Sequence, residues 1–501
     1  MGIVSTMLHW FMKKRVHQIE MFMQHPFDTQ NAVLSNLLFK AKETEYGKKY
    51  GFHTISKYTE FKSQIPLVTY EQYEPEIEKT RQGNADIIWP GKIKWFAKSS
   101  GTTNAKSKFI PISNESLEES HYKAGKDMFS LYYNNHPDTE IFENKNLRLG
   151  GSSELYKGFD TVYGDLSAIL IDNLPFWIEY KNTPNKEISL MPEWESKLHA
   201  IISTVKNQNI GSLTGVPSWM LVLLQRILTE QNKSYIDEIW PTMEAFFHGG
   251  ISFTPYKSQY DILFQNPINY YEIYNASEGF FGVQDQVDSK DLLLLLDHGI
   301  FYEFIPMDEF YNENPTVMNI EQVQLNINYA LVITTNGGLW RYIIGDTVKF
   351  TTKNPYRIIV TGRTKHYINA FGEELMIDNA ETALDFACKN TNAIINEFTA
   401  APIFMQNKEK GSHEWLIEFK KLPNSVEKFI EFLDQKLKEL NSDYEAKRYK
   451  NITLNQPKIT IAKENLFFEW MKNRGKLGGQ NKVPRLANDR QYIDELLKIN
   501  V

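Results

Sequence analysis

Four small hydroxyls surround one glycine at Ser99-Ser100-Gly101-Thr102-Thr103 in this 501-residue chain. An apolar run, Ile93 to Ala97, leads in; Lys106, Lys108 and the strand-like Phe109-Ile110-Pro111-Ile112 follow. Successive backbone amides in a tight connection form an anion-binding concavity, so this segment suits polyphosphate oxygens, with the lysines adding charge. The spacing is not G-x-x-x-x-G-K-[ST], which must run from a strand into a helix. Here the proline and β-branched residues make the following segment a second strand. A solvated Ser/Thr/Gly turn has the same composition.

Two further glycine-bearing segments follow strand-like runs. Tyr270 to Tyr274 leads to Asn275-Ala276-Ser277-Glu278-Gly279, where the Glu278 carboxylate suits a divalent cation that also binds phosphate oxygens. Leu339 to Ile344 reads as a strand that stops at Gly345-Asp346, and Asp346 there could accept hydrogen bonds from two ribose hydroxyls. Ordinary turn chemistry accounts for each segment by itself. Strand ends are where α/β sheets gather ligands, so the ordered set of three points to a nucleotide.

The positioning elements alternate between helix and strand, which gives an α/β fold. Helical spacing opens the chain, and Tyr58 to Ile77 holds two helices around Pro66. Asn114 is the expected N-cap of a helix reaching Leu131. Amphipathic helices are expected at Trp194 to Val205 and Trp219 to Gln231, and strands at Leu147 to Leu149, Ala245 to Gly249 and Tyr329 to Thr335. A new unit is read after Pro355, with a turn at Gly362-Arg363 and helices at Asn379 to Cys388 and Val426 to Leu440. The expected division is a large N-terminal domain of sheets and flanking helices, 1–361, and a smaller α+β C-terminal domain, 362–501.

Bulk properties narrow the function. A chain of this length exceeds one ordinary core. A net charge of -7 without a Lys/Arg block argues against nucleic-acid binding. The single cysteine, Cys388, excludes an internal disulfide and a thiolate zinc cage, and fits a reducing, cytoplasmic setting. No apolar run reaches the ~18 residues of a spanning helix, so no membrane insertion is expected. The opening MGIVST matches the loose myristoylation pattern, although an amphipathic first helix explains it as well.

SSGTTNAKSK, YNASEGFFG and RYIIGD resemble, in order, the nucleotide motifs of the GH3 acyl-acid amido synthetases, members of the adenylate-forming superfamily. Ile239-Trp240-Pro241, Gly249-Gly250, Tyr302 to Pro306, Val332 to Thr335 and Gly479 to Arg485 are similar to further runs of that family. The resemblance implies an ATP- and Mg2+-dependent ligase that adenylates a small carboxylic acid and passes the acyl group to an amino acid. It implies phosphate contacts from Ser99, Ser100, Gly101, Thr102, Thr103 and Lys108, with Gly249, Gly250, Tyr274, Ala276 and Ser277 along the nucleotide. Glu278 would hold Mg2+, Asp346 the ribose, and Gly362-Arg363 would form the interdomain hinge. Lys482 would reach the α-phosphate, with Lys476 as its competitor. Trp219, Leu223, Phe281 and Tyr163 are the acyl-pocket candidates, though each also suits core packing.

The chain departs from the family pattern at Ala105, where glycine is usual, and at Ile343, where arginine is usual; Arg341 is the candidate substitute. His248, before the glycine pair, is expected to be structural. Two alternatives stay open: an acyl-CoA ligase sharing the adenylation step, and a nucleotide-binding protein without catalysis.

Overall fold

The computed structural model describes residues 3–99, 108–150, 155–158, 160–191, 193–253, 256–364, 367–405, 409–449, 453–474 and 484–500. Its centre is a 12-stranded sheet. One half is parallel: strands Lys145–Leu149, Ile210–Gly215, Ala245–Gly249 and Asn269–Ala276 lie side by side. Parallel neighbours need crossover connections, and helices Trp194–Val205 and Pro217–Gln231 supply two of them. The other half is antiparallel, beginning with the hairpin from Asn269–Ala276 into Gly279–Val283. Strand Ile300–Pro306 is buried at every position, and its one charged residue, Glu303, is paired with Arg341.

A second sheet carries Trp95–Ser99 between Lys108–Ile112 and Val162–Gly164. Beyond the large sheet, strands Ile394–Ile403, Ser412–Lys421 and Lys458–Ile461 form a small sheet, accompanied by helices Ile377–Thr391 and Val426–Leu440. This smaller unit is docked: Tyr256 Oη donates to Ala370 O at 2.6 Å, and Ser218 Oγ to Phe371 O at 3.3 Å. One apolar cluster runs from Trp240 and Phe246 to Phe371, Trp415 and Phe429. The α/β class is therefore as expected. Among the described residues no helix is long and apolar enough to cross a membrane.

Several boundaries differ from expectation. The run after Pro355 is strand Tyr356–Arg363, hydrogen-bonded within the large sheet to Tyr342–Lys353 and Leu292–Leu294, so no new unit begins there. The strand through RYIIGD does not stop at Gly345-Asp346; it continues to Lys353. The helix after Lys108–Ile112 is capped by Ser113, whose Oγ accepts from Ser116 N at 2.9 Å, and it opens as a π-helical segment, Ser116–Tyr122.

The first helix, Ile3–Gln24, is fixed by a buried ion network. Arg15 donates to both Asp127 oxygens at 2.6 and 2.7 Å and to both Asp297 oxygens at 3.0 Å. Lys123 Nζ also approaches Asp297 at 2.9 Å, so these acids beside His298 are already neutralised and do not need a metal ion. Removing one partner of such a pair strands the other charge in the interior, at about 3–5 kcal/mol. Arg15→Met is therefore expected to lower unfolding free energy by about that amount in urea titration at neutral pH; because the network holds the Asp127 and Asp297 carboxyls below their ordinary values, the deficit narrows only as pH falls below ~4.

Candidate active site

Four neighbouring parallel strands end along one line: Leu149-Gly150, Gly215, Gly249-Gly250 and Asn275-Ala276. Carboxyl ends of parallel strands leave backbone groups unpaired and open a crevice, the usual ligand position in such sheets. A cleft of about 2030 Å³ lies there. Gly249 is required by a close approach, since a Cβ at that position would come within 2.5 Å of Ile273 O.

The nucleotide-motif segments meet at this cleft. Ser99 ends one strand and Lys108 begins the next; they are cross-strand partners and both line the cavity. Ser100, Gly101, Thr102, Thr103 and Ala105, between them in sequence, lie outside the described residues, as do Lys476 and Lys482. Tyr274, Ala276, Ser277 and Glu278 line the same cavity. Tyr274 Oη donates to Asp346 Oδ2 at 2.7 Å, and Arg363 Nε lies 2.9 Å from Asp346 Oδ1.

A bulge aims Asp346. Val332 pairs with Ile343 but Ala330 pairs with Thr347, so Ile344 to Asp346 stand opposite Leu331 alone. Gly345 has a φ of 95°, which a side chain would oppose. A second register shift follows Thr347-Gly362 on the neighbouring strand, so the Asp346–Arg363 pair sits between two irregularities. Bulges of this kind re-aim side chains beside sites.

Electrostatics at the centre are tightly balanced. Burial pushes the Glu278 carboxyl up to about 7; Lys108 opposes the shift and Asp346 adds to it. Burial lowers Lys108, against the pull of Glu278. Burial also disfavours the Arg363 charge, but Glu374 and Asp346 outweigh it and hold the guanidinium above its ordinary value. His248 is 3% exposed and stacks on Phe253 at 4.1 Å. Burial takes its pKa down to about 3, so it is a neutral wall.

Glu272, also on the cleft, is pushed up to about 7 by burial. A carboxylate with a raised folded pKa keeps its proton longer in the folded state than in the unfolded one. Stability is therefore full below pH ~4.5 and declines as pH rises toward 7. Glu272→Gln removes that decline. The expected gain at pH 8, after allowing for partial solvent screening, is about 2 kcal/mol, with none at pH 4, checked by denaturant titration at both values.

Trp219 lines the cleft, with Lys447 Nζ from the smaller unit 4.0 Å from its ring centre. Leu223 and Phe281 do not: both are fully buried, and Phe281 packs against Tyr274 and Tyr302. Tyr163 stacks on Tyr156 and packs edgewise on Phe109, and is not among the lining residues. Those three serve packing. Arg341 does not replace the missing arginine at Ile343 either; it is bound to Glu303 at 2.9 and 3.0 Å and to the carbonyls of Lys62 and Ile65. The guanidinium beside Asp346 comes from Arg363.

Some lining residues had escaped sequence reasoning, Arg148 and Lys197 among them. The signals were present: an arginine within the apolar KNLRLGG strand, and a lysine on the same helical face as Ile201.

The GH3 family N-terminal domain matches residues 15–268, the central domain 293–363 and the C-terminal domain 378–491. The indole-3-acetic acid-amido synthetase GH3.3 of Arabidopsis thaliana is 22% identical, over 92% of this chain and 89% of its own. The jasmonoyl--L-amino acid synthetase JAR4 of Nicotiana attenuata is 23% identical, over 67% and 68%. Among solved structures, the AtGH3.15 acyl acid amido synthetase with 2,4-DB superposes at a TM-score of 0.62 and 18% identity, covering 98% of this chain and 96% of that one. A 2-hydroxyisobutyryl-CoA ligase with 2-HIB-AMP and CoA gives 0.60 at 13%, covering 95% and 92%, so the fold itself is shared with thioester-forming enzymes. With its N-terminal, central and C-terminal parts all matched in order, the chain belongs to the GH3 family.

Proposed function

We propose that the protein is an ATP-dependent acyl-acid amido synthetase that joins a small carboxylic acid to the amine of an amino acid. The observation that carries this reading is the meeting of three distant segments, at Ser99/Lys108, Tyr274–Glu278 and Asp346/Arg363, on one cleft. In the first step a carboxylate oxygen of the acid attacks the α-phosphorus of ATP, and the bond to the β-phosphate breaks, releasing pyrophosphate. In the second the amine nitrogen attacks the activated carbonyl carbon, the carbon–oxygen bond to AMP breaks, and the amine loses a proton.

Each group has a part in this. Tyr274 and Arg363 occupy one site on each Asp346 oxygen. An ionised carboxylate accepts at about four positions, which leaves two for the ribose diol. By the family resemblance Ser99, Ser100, Gly101, Thr102, Thr103 and Lys108 would take the phosphates. Glu278, a hard oxygen donor on the phosphate side, suits Mg2+, whose charge when bound offsets that of the polyphosphate. By the family resemblance Lys482 would reach the α-phosphate, where a cation reduces the repulsion between carboxylate and phosphate. The unit beyond Arg363 would turn about Gly362-Arg363 between the two steps, as hinge closures do. A cytoplasmic setting would supply the ATP.

The test is an acid-by-amine panel. Pyrophosphate release is expected with a subset of carboxylic acids, and amide plus AMP only when an amino acid is also present. AMP release that follows coenzyme A rather than amino acids would assign the thioester reaction instead. ATP binding with no acid-dependent turnover across the panel would remove catalysis from the account.

A further inference from the structure

Lys447 reaches the cleft from the smaller unit. Its helix, Ser442–Arg448, is held from within that unit: Asn441 caps it, accepting from Tyr444 N at 2.7 Å. Tyr444 donates to the buried Asp434 at 2.8 Å, and Arg448 donates to it at 2.6 and 2.7 Å. A helix turns about 100° per residue, so Lys447 leaves from a different side than Arg448. It crosses to the larger unit, where its Nζ stands 4.0 Å from the ring centre of Trp219 on helix Pro217–Gln231. Gly372 keeps that path open, since a Cβ there would come within 3.3 Å of Lys447 Cε and 3.5 Å of its Nζ. Gly372, Lys447 and Trp219 all line the cleft.

Lys447 is 7% exposed, yet among the described residues its ammonium forms no ion pair or hydrogen bond. The face of Trp219 meets part of its charge but leaves N–H donors over, because an ammonium carries three. A buried charge short of acceptors is costly unless a ligand supplies them. Burial lowers the Lys447 pKa, and Asp443, Asp165, Glu373 and Glu374 oppose that through their charge. Glu373 accepts from Ala370 N at 3.2 Å and Phe371 N at 2.7 Å, and lies 2.8 Å from His413 Nε2. Asp165 accepts from Ser167 N at 2.8 Å, and Glu374 lies 3.5 Å from Arg363. These acids favour the charged lysine without filling its donor positions.

The position is separate from the nucleotide groups. In the sheet, strands Tyr342–Lys353 and Tyr356–Arg363, which carry Asp346 and Arg363, lie on one side of Asn269–Ala276. Strand Ile210–Gly215, which leads into the Trp219 helix, lies on the other side, two places away and so about 10 Å off. A group held between Lys447 and Trp219 thus sits at the seam of the two units and meets one cation beside an apolar wall. That combination suits a single carboxylate on a small carbon skeleton. The carboxylate of the acyl substrate is consumed in activation, whereas that of the acceptor amino acid stays ionised throughout.

We propose that Lys447 and Trp219 form the subsite for the α-carboxylate of the acceptor amino acid, a subsite completed only when the smaller unit is docked. The inference rests on the amido synthetase reading.

The experiment pairs each of the twenty amino acids with its own primary amide as acceptor. Amide-bond formation with a fixed acid is scored as kcat/KM in wild type, Lys447→Met and Lys447→Arg. Wild type is expected to prefer the amino acid over its amide, and Lys447→Met to lose that preference by about 10- to 100-fold. Lys447→Arg keeps part of it. A structural role alone would slow both members of each pair alike, so an unchanged ratio in Lys447→Met overturns the subsite. Hexanoate and adipate form a second arm: a diacid preference lost in Lys447→Met, with the amino-acid ratio intact, assigns the lysine to the acyl substrate and overturns it too. If Lys447→Met does not fold, Lys447→Gln takes its place. Where no acid gives pyrophosphate release, the amido synthetase reading fails, and the melting temperature of the nucleotide-free protein with each amino acid decides the subsite. An upshift in wild type that is lost in Lys447→Met supports it; equal upshifts, or none with any amino acid, overturn it.

Discussion

Asp346→Asn lowers kcat/KM for ATP in acid-dependent pyrophosphate release by about 10²- to 10³-fold. The size follows from the contacts it weakens: two charge-assisted hydrogen bonds to ribose hydroxyls at about 1.5–3 kcal/mol each, with partial retention by the amide. The substitution also leaves Arg363, otherwise 3.5 Å from Glu374, without its close carboxylate partner. Stability is therefore expected to fall along with activity. The two effects separate by comparison with Tyr274→Phe, which removes one hydrogen bond to Asp346 but leaves its charge and its pairing with Arg363. That variant should lose less than about tenfold.

Glu278→Gln has an equally large effect by a different route. The carboxylate is the one hard anionic donor placed among the Tyr274–Glu278 residues on the cleft, and Mg2+ is expected to need it. Loss of a bound cation's stabilisation of developing phosphate charge amounts to several kcal/mol, so pyrophosphate release should drop by about 10³-fold, with a higher Mg2+ requirement. The ligand-free protein should behave in the opposite sense. Burial holds the Glu278 carboxyl up near 7, so ionising it at pH 8 costs stability, and the amide removes that cost. A variant that melts higher and turns over far more slowly is the signature of a group kept for function.

Much of this was legible from residue types. The acids of YNASEG and RYIIGD stand out by residue type, as do Ser99 and Lys108 at the two ends of the hydroxyl-rich segment, and these four residues line one cavity. What misled was glycine. At Gly345 and Gly362 it marks irregularities inside continuing strands, yet on the page a glycine after an apolar run reads equally as a strand end. The distinction rests on whether the residues beyond pair onward with the same neighbours, which is a long-range fact. Only the bulge explains how Asp346, within a strand, comes to meet Tyr274 and Arg363 from two other strands.

The acyl wall was less legible for a related reason. Phe281, Leu223 and Tyr163 have the same apolar character whether they face a ligand or the core, and burial against Tyr274, Tyr302 and Phe109 decided it. Arg148 and Lys197 are charges on apolar faces, but nothing local distinguishes a cation that lines a cleft from one that pairs in the interior, as Arg341 does with Glu303.

The most direct test of the central claim is isotope exchange between pyrophosphate and ATP, which reports reversible acyl-adenylate formation and nothing later. The account predicts exchange that requires both Mg2+ and a carboxylic acid, proceeds without any amino acid, and falls by at least about a hundredfold in Asp346→Asn and Glu278→Gln. Exchange that is independent of acid, or that survives both substitutions at the wild-type rate, would contradict it.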